Sequence, residues 1–175
     1  MRTPLLRTCV ATLAFAVLAA ACAHGGPGAL PGGATFVVVR HAEKTSEPDD
    51  PPLTAAGLAR AQALAGWLDG RPLAAVYATG YRRTQQTAAP AAARKGLTIT
   101  TYDAKQPAAQ FADALRSRHV DGTVLVVGHS NTAPDIAAAL CRCVVAPMPE
   151  TEYGRRMVVT VSAEGSATLD VSNPP

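Results

Sequence analysis

The stretch TFVVVRHAEK, residues 35–44, sets a run suited to a buried β-strand directly against a cluster of charge. Thr35 to Val39 are β-branched or aromatic, the types that fit a pleated, packed surface. Arg40 and His41 follow at once, with Glu43 and Lys44 just beyond. Charge at a strand end is what any surface supplies, so the stretch alone assigns nothing. A second stretch repeats it: TVLVVGH, residues 123–129, is apolar on successive positions and also ends in histidine. Unbroken apolar runs are expected of parallel strands covered on both faces. In a parallel sheet the carboxyl ends of the strands lie along one edge, where ligand sites form. His41 and His129 are therefore both expected at that edge.

Working outward, residues 53–70 read as a helix with Thr54 as its N-cap and an apolar stripe of Leu58, Ala61, Leu64, Ala65 and Leu68. Residues 73–78 read as a strand. Residues 81–96 read as a helix interrupted at Pro90 and stopped by Gly96. LTITTY (97–102) is a third strand, and 107–118 a helix with Pro107 in its first turn. The segment after His129 reads as a helix with Pro134 and Asp135 in its first turn, both favoured there. RMVVTVS and SATLDV read as two closing strands, paired as a hairpin across Glu164 and Gly165. Strands alternating with helices predict an α/β fold, a three-layer sandwich whose mostly parallel central sheet is flanked by helices.

The first 34 residues read differently. Arg2 and Arg7 precede an uncharged apolar run from Thr8 to Ala21, which ends in small residues before Cys22. That is the pattern of a secretory signal over 1–21, too short for the roughly 20 apolar residues of a spanning helix. The residues before Cys22 also resemble a bacterial lipobox, which makes Cys22 the lipidated first residue of the mature chain and Ala23 compatible with outer-membrane sorting. Plain cleavage near Cys22 or Ala23 is the other reading. Residues 22–34, rich in Gly and Pro, read as a flexible linker, and 35–175 as one domain. The expected location is the periplasm or cell envelope, with membrane association through the lipid if Cys22 is acylated.

Charge and cysteines narrow the partners. Arg2 and Arg7 leave with the signal, so 14 basic residues face 13 acidic ones, a balance of +1. No basic run and few aromatics remain, which argues against a nucleic-acid partner. Cys141 and Cys143 remain after Cys9 and Cys22 are accounted for. Exported thiols usually pair. A bridge over two residues has to sit outside a helix, and a CxC without nearby ligands is weak evidence of metal. No metal site and no cofactor are expected.

His24 lies in the linker, and His119 at a helix end suits the helix dipole. That leaves His41 and His129 to carry chemistry. YRRTQQTA adds Arg82 and Arg83 at the start of a helix that leaves the same sheet edge, and the guanidinium fork suits phosphate oxygens.

On these residues the chain resembles the histidine phosphatase superfamily, with its phosphoglycerate-mutase-like fold. RHAEK is similar to the family's RHG-type signature, with Ala42 in place of the common glycine. DPPLTAAGLARAQ resembles its LT..G..QA helix. YATGYRRTQQTA resembles its SS...R..QTA element, with Ala78 and Thr79 where serines are common. VVGHSNTAPDI is similar to its second histidine segment. The four motifs fall in order over residues 35–161, and the combination is most similar to small exported members.

The resemblance implies His41 as nucleophile, forming a transient phosphohistidine, and Arg83 as the phosphate-binding arginine of the QTA element. It implies Arg40, Arg83 and a protonated His129 around the phosphoryl oxygens, assisted by donors from Gly128 to Asn131, Ser130 among them. Asp103, in the loop where family members commonly carry an acid, and Glu43 are alternative proton donors. Glu152 and Tyr153, in PETEYG, read equally as lining of the mouth and as filling of a loop. The implied activity is hydrolysis of a small phosphomonoester without a metal, and export makes a lipopolysaccharide sugar phosphate the natural class. A non-catalytic phosphate-binding lipoprotein and a phosphotransferring mutase are the competing readings; the short domain disfavours the mutase.

Overall fold

A computed structural model describes residues 32–174. The expected signal over 1–21, the lipidation at Cys22 and most of the linker lie outside the described residues.

The chain forms β1 (Gly33–Arg40), α1 (Ala55–Leu68), β2 (Leu73–Thr79), α2 (Arg82–Lys95), β3 (Ile99–Tyr102), α3 (Ala108–Arg118), β4 (Thr123–Gly128), α4 (Ala133–Cys141), β5 (Arg156–Ser162) and β6 (Ala167–Ser172). The strands make one sheet in the order β3-β2-β4-β1-β5-β6. β3, β2, β4 and β1 run parallel, whereas β5 and β6 add an antiparallel edge. The expected mostly parallel three-layer α/β sandwich is thus a mixed sheet with helices on both faces. Gly33 and Ala34, read as the end of the linker, already belong to β1, because they pair with Ser162 and Val161.

The two helical layers follow from the strand order. The connections β1 to β2 and β2 to β3 run one way along the sheet, and β3 to β4 runs back. Right-handed crossovers put opposite directions on opposite faces. Accordingly Val37, Val39 and Leu125 pack with Leu64 and Leu68 of α1 and Ala88 and Ala92 of α2. Phe36, Val38 and Val126 pack with Phe111 and Leu115 of α3 and Ile136 and Leu140 of α4. Neighbouring residues on one strand serve opposite cores, which is why β1 and β4 read as unbroken apolar runs. Every residue of β4 is buried.

Local signals behave as physical chemistry expects, with two corrections. Thr54 caps α1 by accepting from Gly57 N, and α2 ends at Gly96. Pro90 sits inside α2 without interrupting it. Leu58, assigned to the buried stripe of α1, is 48% exposed. The buried face at that turn is Gly57, where an added Cβ would stand 2.2 Å from the Glu43 carbonyl. A glycine lets the helix approach the loop after β1 more closely than any side chain permits. The β5–β6 turn places Gly165 at φ 85°, a conformation glycine adopts without steric cost. Cys141 and Cys143 are joined in a disulfide where α4 ends, with Arg142 between them in the left-handed region.

Candidate active site

Strand register assembles the centre. β1 and β4 are parallel neighbours with Arg40 opposite Gly128, and the His41 amide continues the ladder by donating to the Gly128 carbonyl at 3.0 Å. The next residue of each strand is a histidine, and the two rings stand edge to face with centroids 5.5 Å apart. From here the chain departs to opposite faces of the sheet, β1 into α1 and β4 into α4. The histidines therefore occupy the point where the topology switches direction, where open α/β sheets bind ligands. His41, Arg83, His129, Ser130 and Asn131 line one cleft of about 290 Å³, joined by Lys44, Tyr81, Ala104, Thr132 and Glu150.

His41 is 3% exposed, and its Nδ1 lies 2.8 Å from the Ala42 carbonyl. A carbonyl only accepts, so Nδ1 carries the proton and Nε2 keeps its lone pair. Burial pushes this imidazole down to about 4. The bond to Ala42 opposes that shift, and Arg40, His129 and Arg83 reinforce it. The ring is thus neutral at neutral pH and free to attack through Nε2.

His129 is 9% exposed, with Nε2 3.1 Å from Thr79 Oγ1 and Nδ1 3.5 Å from Arg83 Nη2. Arginine only donates, so the ring proton sits on Nε2 and is given to Thr79. Thr79 Oγ1 is 2.8 Å from Thr84 Oγ1, which itself lies 2.8 Å from the Tyr81 carbonyl, completing a directed chain. Burial first, then Arg83 and Arg40, push His129 down to about 4, and Glu150 opposes them weakly. The expectation of a protonated His129 is corrected for the free protein: burial of the ring, with Arg83 and Arg40 nearby, disfavours the charged form.

Arg83, in the first turn of α2, lies over the Tyr81 ring at 4.3 Å and 3.7 Å from Asp50. Asp50 also accepts from the Arg82 amide at 2.9 Å, fixing the start of the helix. Arg40 is 2% exposed and holds a strap of chain rather than open space. Its Nη1 donates to the carbonyls of Glu150 at 2.7 Å, Glu152 at 2.9 Å and Pro149 at 3.3 Å, and its Nη2 to the Glu150 carboxylate at 2.7 Å. Its guanidinium also lies over Tyr153 at 4.1 Å. Two buried side-chain nitrogens among the described residues lack a hydrogen-bond partner, Arg40 Nε and Arg83 Nε.

Neither expected proton donor is among the residues that line the cleft. Glu43 is clamped by Arg60, whose Nε and Nη2 donate at 2.9 and 2.7 Å. Those bonds hold its carboxyl below the usual range and tie it to α1. Asp103 is exposed and accepts from the Lys105 amide at 2.9 Å, closing its own turn. Glu152 is paired with Arg155 at 2.6 and 2.7 Å, whereas Tyr153 approaches His41 with ring centroids 6.1 Å apart.

Sequence reasoning missed Thr79, Lys44, Tyr81 and Glu150. Thr79 ends a strand beside the one that carries His129 and stands at a serine position of the SS...R..QTA element, but neither signal gave it a role. Glu150 comes from an irregular segment with no motif. A larger cavity of about 400 Å³ lies on the α1 side of Arg40, between Ala56, Ala59 and Ala63 and the 153–156 segment, and contains neither histidine. Among the described residues no group of three or more His, Cys, Asp or Glu is placed to hold a metal, and no helix is long and apolar enough to cross a membrane.

Comparison with known proteins bears on this arrangement. The family model described as "Histidine phosphatase superfamily (branch 1)" matches residues 36–105, a span that holds Arg40, His41 and Arg83 and ends before His129. No curated protein matches the sequence. Among solved structures, SixA from Nakamurella multipartitia, named as a phosphohistidine phosphatase, is 25% identical, with a TM-score of 0.60 over 82% of this chain and 97% of that one. The protein histidine phosphatase SixA complexed with tungstate is 20% identical, with a TM-score of 0.63 over 80% and 97%. A mycobacterial glucosyl-3-phosphoglycerate phosphatase is 18% identical, with a TM-score of 0.62 over 82% and 100%. The fold is the phosphoglycerate-mutase-like one these structures share.

Proposed function

We propose that the protein is a histidine phosphatase, a hydrolase of small phosphomonoesters that works through a phosphohistidine on His41. The observation that carries this reading is the hydrogen bond from His41 Nδ1 to the Ala42 carbonyl, which leaves Nε2 free in a cleft shared with Arg83, His129, Ser130 and Asn131. Attack in line by Nε2 forms a P–N bond as the ester P–O bond breaks. Water then takes the phosphoryl group and restores the imidazole. Two displacements replace one difficult hydrolysis.

The cleft residues have matching parts to play. Arg83 and the Ser130 hydroxyl hold equatorial oxygens, whose charge must be stabilised through the transfer. Asn131, at the entry to α4, adds an amide. Arg83, which lines the cleft, keeps one buried donor without a protein acceptor, an arrangement that costs about 1–3 kcal/mol unless a ligand repays it. His129, neutral while the cleft is empty, gains its proton as the phosphoryl dianion offsets the arginines. The scheme needs no metal, because the arginines supply the positive field.

Export over residues 1–21, with or without acylation of Cys22, places the enzyme in the periplasm or cell envelope in this reading. The substrate class available there includes lipopolysaccharide sugar phosphates. This rests on the sequence pattern of the first 34 residues.

The test is phosphoenzyme trapping. Wild-type protein given ³²P-labelled p-nitrophenyl phosphate and quenched in alkali retains a label that is stable in base and labile in acid, and His41→Ala retains none. Turnover equal in wild type and His41→Ala would overturn the reading, and EDTA-sensitive turnover would overturn its metal-free part.

A further inference from the structure

Neither of the two carboxylates expected to protonate the leaving oxygen lines the cleft. Departing alkoxides are strong bases, so an ester of an ordinary alcohol needs an acid at the mouth of the cleft. Glu150 is the one carboxylate among the described residues that line it. Its Oε1 accepts a short hydrogen bond from Ser130 Oγ, and its Oε2 accepts from Arg40 Nη2 at 2.7 Å.

The segment carrying it is built to present it. Residues 144–149 have no regular structure, yet their backbone is pinned from two sides. Arg155 Nη1 donates to the carbonyls of Ala146 at 2.8 Å and Pro147 at 3.2 Å, and Arg40 holds those of Pro149 and Glu150. Met148 between them is buried at 7% exposure. At the base, the Cys141–Cys143 disulfide closes the end of α4. The Glu150 side chain by contrast is 78% exposed. A fixed backbone thus carries an exposed carboxylate, held by Ser130 and Arg40, at the rim where a leaving group would meet it.

We propose that Glu150 is the acid and base of the reaction. The assignment rests on His41 as nucleophile. In the first displacement His41 Nε2 bonds to phosphorus, the ester P–O bond breaks, and the Glu150 proton passes to the leaving oxygen to give a neutral alcohol and a carboxylate. In the second, that carboxylate takes a proton from water as its oxygen bonds to phosphorus. The P–N bond breaks, and inorganic phosphate, neutral His41 and protonated Glu150 result.

In the free protein the Ser130 bond, then Arg40, His41 and Lys44, hold the Glu150 carboxyl below its usual range. A phosphoryl dianion entering the cleft competes for the same Ser130 donor and repels the carboxylate. Both effects favour the protonated form, so substrate entry arms the acid.

The experiment compares leaving groups. For Glu150→Gln the ratio of kcat/KM on phenyl phosphate to that on p-nitrophenyl phosphate falls about 10²-fold against wild type, because the activated nitrophenolate departs without a proton. Glu150→Asp restores part of the ratio. Labelling of Glu150→Gln at His41 shows that the variant folds and forms the intermediate. An unchanged ratio, whether both rates fall together or neither does, overturns the role of Glu150 and leaves the nucleophile intact. A wild type that never labels overturns both.

Discussion

Thr79 determines which nitrogen of His129 carries the proton, although it is not among the residues that line the cleft. Its hydroxyl accepts from His129 Nε2 at 3.1 Å while Arg83 faces Nδ1. Thr79→Val keeps the shape and removes the acceptor, leaving a buried N–H unsatisfied at a cost of about 1–3 kcal/mol. The expected result is a kcat/KM for p-nitrophenyl phosphate roughly 5- to 150-fold lower, the equivalent of that energy if it falls on the transition state. Steady-state kinetics on the folded variant check it. An unchanged rate would mean that His129 keeps its tautomer without Thr79.

The same residue shows how far the site could be read in advance. His41 and His129 were legible as reactive types at strand exits, and Arg83 through the QTA element the chain resembles; the cleft brings all three together. Glu43 stands two residues from His41 in sequence, and only the fold shows Arg60, 17 residues away, claiming its carboxylate. Glu150 meets Arg40 across 110 residues, through a segment with no periodicity, so nothing local announces it.

At the scale of an element, α1 is placed by what it lacks. Thr54 N donates to the Glu43 carbonyl at 2.9 Å, and Gly57 brings the helix backbone against that same carbonyl. Gly57→Ala forces its Cβ into backbone, which cannot move aside as a flexible side chain would. The expected destabilisation is about 1–3 kcal/mol, read as a lower urea midpoint, despite the better helix propensity of alanine. Catalysis falls with it, because Glu43 lies just beyond the nucleophile. Leu58→Ser, one residue along and on the exposed side, shifts the midpoint by no more than about 0.5 kcal/mol. The sequence pattern assigned the opposite importance to this pair. Hydrophobic periodicity scores side chains, and it has no way to register a contact made by the absence of one.

The whole molecule carries a record of its site in how stability depends on pH. His41 and His129 are both held near 4 by burial and by arginines, and burial lowers His119 as well. In the unfolded chain a histidine titrates near 6.5. Between about pH 4 and 6.5 the unfolded state therefore binds more protons than the folded state. Stability then rises with pH across that window and is lost as the solution is acidified. The Glu43 and Glu150 carboxyls, held below their usual range, act in the same direction below the ordinary carboxylate pKa of about 4.3, since their pairing is lost only when they take up protons. Urea midpoints measured from pH 7.5 to 4.5 should fall steadily, with most of the fall between 6.5 and 4.5. His129→Gln keeps a neutral polar ring-sized group beside Arg83 but cannot titrate, so its midpoint curve should be flatter than that of wild type over this interval. Parallel curves would mean that His129 is not held neutral in the folded protein. The paired cations around the histidines would then have to be less effective than their geometry implies.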